Sequence, residues 1–75
     1  MEAIMVSAEY LKMIRQQSIM SQEDFAKEIG VSFSTVNRWE TGKSSPNYKT
    51  IKKIKDYCDR QGIKFEISND TGRNN

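Results

Sequence analysis

The sequence predicts an all-α domain of four helices that ends in a short C-terminal β segment. Three observations carry that expectation. Apolar residues recur at helical spacing in four separate stretches. Ser or Gly stands where several of those stretches would begin or end. The single proline, Pro46, falls between the third and fourth stretches and interrupts neither.

The first helix is expected over Ala8–Gln17, with Ser7 as its N-cap and Leu11 and Ile14 as its apolar stripe, flanked by Tyr10 and Met13. The second begins at Ser21, where "SQED" reads as a capping box. The Ser21 hydroxyl can accept from the backbone three residues on, and Asp24 can reach back. Phe25, Ala26 and Ile29 form its inner face, and Gly30 ends it as a left-handed residue. The third opens with Ser32 as N-cap and runs to about Glu40, with Gly42 and "SSPN" as its exit. The fourth runs from about Tyr48 to Gln61. It places Ile51, Ile54 and Cys58 on one face, with Tyr57 adjoining, and closes at Gly62. "IKFEI", residues 63–67, alternates apolar and charged and reads as a strand. "SNDTGRNN" reads as a frayed polar tail. The expected division is a helical domain over residues 1–62 and a strand plus tail over 63–75.

Composition excludes several functions. Seventy-five residues make one small domain, and the single cysteine, Cys58, allows no internal disulfide and no Cys-based zinc site. The chain has no histidine, so the commonest general base and metal ligand are missing. Met1, Met5, Met13 and Met20 show no ligand spacing, and Asp56 and Asp59 read as ordinary helix surface. The expectation is no enzyme, no metal and no cofactor. "MEAIMVSAEY" has no basic n-region and an apolar run too short for a signal peptide, and no stretch reaches the roughly 18 apolar residues of a membrane span. A cytoplasmic protein with a reduced thiol and no membrane partner is expected. Net charge is only +2, but residues 41–60 carry six basic and two acidic side chains. Lys49, Lys52, Lys53 and Lys55 form either a solvated helix face or part of a surface for an anionic partner.

The stretch "GVSFSTVNRWETG" carries the functional signal. At about 100° per residue, Val36 and Trp39 fall on one side of the third helix, and Ser34, Asn37 and Arg38 on the other. That outer face suits a DNA duplex. Arg can bind guanine O6 and N7, Asn can bind adenine N6 and N7, and small hydroxyl residues allow close approach. Phe33 lies on the border of the two faces, where it either packs on a thymine methyl or extends the core. Trp39 shares its face with Val36 and reads as core.

A short helix, a Gly-containing turn and a second helix match the DNA-binding helix-turn-helix pattern. "SQEDFAKEIGVSFSTVNRWETGK" resembles the Cro/C1-type helix-turn-helix (XRE family) of phage repressors and small bacterial regulators. The elements that carry the resemblance are Ser21-Gln22, Ala26, Gly30-Val31, Val36 and Trp39-Glu40-x-Gly42-Lys43, and it covers about residues 10–61. It implies a lambda repressor-like fold and site roles. Gln22, at a helix N-terminus, would contact phosphate and brace the first recognition residue. Ser32, Phe33, Ser34 and Arg38 would meet bases or the adjoining backbone, and Asn37 shares their face. Lys43, Asn47 and Lys49 would contact phosphate. The resemblance also implies that Arg15, late in the first helix, pairs with Glu40 and fixes geometry.

Three departures from the family pattern bear on these expectations. Phe33 stands where a polar residue, often Gln, is usual. Ile19-Met20 stands where Gly-Leu is common before the cap. "IKFEI" stands where many relatives have a fifth helix. A strand there either packs on its own domain or, because a lone strand leaves both edges unpaired, pairs antiparallel with the same strand of a second copy. The second reading gives a homodimer through the C-terminal segment, with two copies on a palindromic operator. The expected function is sequence-specific double-stranded DNA binding as a small, repressor-like transcriptional regulator. The alternatives are an antitoxin whose tail binds a toxin partner, and a protein-interaction module that keeps the fold.

Overall fold

The computed structural model describes residues 4–65 and 68–69. Its elements run β1 (Ile4–Met5), α1 (Ala8–Gln17), α2 (Gln22–Ile29), α3 (Phe33–Glu40), α4 (Tyr48–Gln61) and β2 (Ser68–Asn69). The four helices are those expected from the sequence. Their starts are fixed by side-chain caps that satisfy otherwise orphaned backbone donors. Ser7 accepts from the Tyr10 N–H at 3.1 Å, Ser21 from Asp24 at 3.0 Å, Ser32 from Thr35 at 3.1 Å, and Asn47 from Thr50 at 2.8 Å. Only the Ser21 half of the expected capping box is formed among the described residues.

The helix ends repeat one device. After α3, the Lys43 N–H returns to the Arg38 carbonyl and Gly42 to Trp39; after α4, Ile63 returns to Cys58 and Gly62 to Asp59. These are Schellman closures around a left-handed residue. After α1 the same pattern runs from Met20 to Arg15 and from Ile19 to Gln16. There the left-handed residue is Ile19, at φ +55°. A β-branched side chain is strained in that conformation.

Each helix contributes one face to a common core: Leu11 and Ile14, then Phe25, Ala26 and Ile29, then Val36 and Trp39, then Ile51, Ile54, Tyr57 and Cys58. Val6, which precedes α1, is buried with them. Phe25 meets Tyr57 edge to face at 5.9 Å, joining α2 to α4.

The C-terminal segment differs from the expected strand. Ile63, Lys64 and Phe65 are irregular, and residues 66 and 67 lie outside the described set. Pairing occurs instead at Ser68 and Asn69, antiparallel to Met5 and Ile4 of the same chain. The alternation in "IKF" has another cause. Gly62 turns the chain back, Ile63 and Phe65 pack against the core, and Phe65 stacks on Tyr10 at 5.7 Å. Residues 63–65 therefore form a strap over α1. The expected frayed tail, residues 70–75, lies outside the described residues.

Candidate nucleic-acid interface

Helix α3 is held from beneath by two side chains. Val36 and Trp39 are buried, each contributing about 1.5–3 kcal/mol through apolar burial. α3 packs against both α2 and α1. Its junction with them is fixed by a polar network. Arg15 donates from Nε to Glu40 Oε2 at 2.7 Å and from Nη2 to Glu40 Oε1 at 2.9 Å. Its Nη1 donates to the Met20 carbonyl at 2.9 Å, which ties the pair to the α1–α2 turn. Gln22, the first residue of α2, donates from Nε2 to Glu40 Oε1 at 3.0 Å. Burial pushes the Glu40 carboxyl up, but the Arg15 and Gln22 hydrogen bonds and the charges of Arg15 and Lys12 outweigh it, and its pKa is lowered. Hydrogen bonding to Glu40 raises the Arg15 pKa, against burial. The pair is ionised, and Glu40 is structural.

The opposite side of α3 is open. Phe33, Ser34 and Arg38 are exposed. Phe33 retains 51% of its surface and takes no part in the core, which resolves its border position in favour of the outer face. Asn37 is half-buried, and its Nδ2 donates to Gln22 Oε1 at 3.2 Å. Ser32 has its hydroxyl engaged as a cap, and its Oγ lies 2.9 Å from Thr35 Oγ1.

Gln22 departs from the bracing role that the resemblance implied. Its partners are Glu40 and Asn37 in place of the first recognition residue. Asn47 caps α4 through its side chain while remaining exposed. Lys43 and Lys49 are exposed just after α3 and at the start of α4. Tyr48, between Asn47 and Lys49, is also exposed.

This arrangement can meet an anionic, grooved partner. Cations and a helix N-terminus lie at the edges of a helix whose outward residues include an Arg, an Asn and small hydroxyl side chains. Among the described residues no cluster of acidic, Cys or His side chains could hold a metal ion. No helix among them is long and apolar enough to cross a membrane.

A family model described as helix-turn-helix matches residues 11–61, about two thirds of the chain. The chain belongs to the Cro/C1-type (XRE) helix-turn-helix family of DNA-binding transcription regulators. No curated protein matches it.

Proposed function

We propose that this helix-turn-helix protein is a sequence-specific, repressor-like regulator that lays α3 in the major groove of double-stranded DNA. The observation that supports it best is the division of α3. One face is anchored by Val36, Trp39 and Glu40, and the other exposes Ser34 and Arg38 beside Phe33. An anchored helix holds its outward side chains in register with base edges, which a mobile one could not do. Arg38 and Ser34 are the principal base readers. Phe33 contributes apolar contact, which suits a thymine methyl. Ser32 and Asn37 complete the face. Lys43, Lys49, Asn47 and the start of α2 at Gln22 set the register on the phosphates. The operator is palindromic and bound by two copies. Since β1 of the same chain already pairs with one edge of β2, a dimer through this segment uses its other edge.

The test separates base reading from phosphate contact. Arg38→Ala should cost about 1–3 kcal/mol on the operator and relax preference at one base pair. Lys43→Ala should weaken operator and random duplex alike and flatten the salt dependence. Fluorescence anisotropy at several salt concentrations reads both. Equal losses on specific and random DNA for Arg38→Ala would overturn the assignment, and absence of duplex binding at low salt would overturn the function.

A further inference from the structure

The polar network at the α1–α2–α3 junction has a direction. Arg15 has only donors and ionised Glu40 only acceptors. Gln22 can meet Glu40 Oε1, 3.0 Å away, only with its amide nitrogen, because an oxygen there would set two acceptors against each other. That choice turns Gln22 Oε1 toward Asn37. An acceptor at that point requires a donor, so Asn37 presents Nδ2 to it, at 3.2 Å. Oδ1 then lies on the other branch of the Asn37 amide, directed away from Gln22. Asn37 is half-buried on α3, next to exposed Arg38, and its Oδ1 makes no hydrogen bond among the described residues. A free asparagine can turn its amide over and match either a donor or an acceptor. Here the choice is made by a carboxylate two residues removed in the network.

We propose that the Arg15–Glu40–Gln22 chain locks Asn37 with its carbonyl oxygen toward the groove, so that Asn37 selects a base bearing an exocyclic amine. Adenine N6 and cytosine N4 are the major-groove donors; guanine and thymine offer acceptors where these carry amines. Gln22 is the positioning residue and acts through Asn37. The inference rests on α3 being the base-reading helix, as proposed above.

Selection of bound sites from a randomised duplex library tests it with wild type, Asn37→Ala and Gln22→Leu. The position whose preference Asn37→Ala erases should carry adenine or cytosine for wild type. Gln22→Leu should relax that position toward guanine or thymine by roughly three- to tenfold, the worth of one hydrogen bond, while the position read by Arg38 keeps its preference. A second measurement needs only the wild-type protein. Replacing the selected base by an analogue without its exocyclic amine should weaken binding roughly three- to tenfold. Guanine or thymine at the Asn37 position, an undiminished preference in folded Gln22→Leu, or indifference to the analogue would each overturn the lock. Enriched sites with no Asn37-dependent position would overturn it and leave the proposed function standing. No enriched site for wild type would overturn both.

Discussion

The α1–α2–α3 junction and the outer surface of α4 each hold an ion pair of nearly the same length. Arg15–Glu40 closes at 2.7 Å with side chains 14% and 4% exposed. Lys55–Asp59 closes at 2.9 Å with side chains 52% and 58% exposed. The first is a two-pronged fork with further bonds to Met20 and Gln22. The second is a single contact one helical turn apart, open to water and salt. Length does not separate the two pairs. What separates them is how many other groups lose a partner when one member is removed.

The largest expected effect comes from breaking the partly buried pair. Glu40→Ala leaves Arg15 without its anion and Gln22 without an acceptor, and should lower stability by about 3 kcal/mol. Chemical denaturation reads this, and unchanged melting would erase the distinction between the two pairs. Acid should probe the same bond. Because the folded pKa of Glu40 is lowered, its contribution is fully present above the ordinary carboxylate range and is lost as pH falls through the folded value. In Glu40→Ala that part of the acid dependence should vanish.

A smaller effect of opposite sign is expected nearby. Ile19 holds a left-handed conformation with 91% of its surface exposed, so it carries strain and adds little packing. Ile19→Gly should raise stability by up to about 1 kcal/mol, the relief of strain exceeding the added freedom of the unfolded chain. A loss of stability would show that the side chain makes a stabilising contact. The smallest effect belongs to the exposed pair: Lys55→Ala should leave the melting midpoint unchanged within error, at low and high salt.

The helices were legible because their signals are local. A cap hydroxyl, a periodic apolar face and a terminal glycine lie within a few residues of one another. The Arg15–Glu40 pair was legible only by resemblance, since no periodicity links charges 25 residues apart. The Gln22–Asn37 bond was hidden for the same reason, since it joins side chains 15 residues apart on different helices. The position of Phe33 itself could not be read from its angle, because it sits on the boundary of the apolar sector. The strap failed as a strand because alternation records which side faces the core, and a packed irregular segment satisfies that as well as a ladder does. The left-handed Ile19 carried no glycine to announce it.

The strap also bears on the order in which the chain assembles. Tyr10 donates its hydroxyl to the Lys64 carbonyl across 54 positions and stacks on Phe65 beside it. Helices α2 and α3, by contrast, are joined by three residues and can meet as soon as both exist. Closing a long loop costs more chain entropy than closing a short one, and its reward comes only when both ends are in place. The α2–α3 hairpin is thus suited to nucleate folding, and the strap to latch last and release first. Amides of the hairpin should outlast those of the strap in hydrogen exchange, so brief openings of the strap leave the proposed reading helix docked on its scaffold.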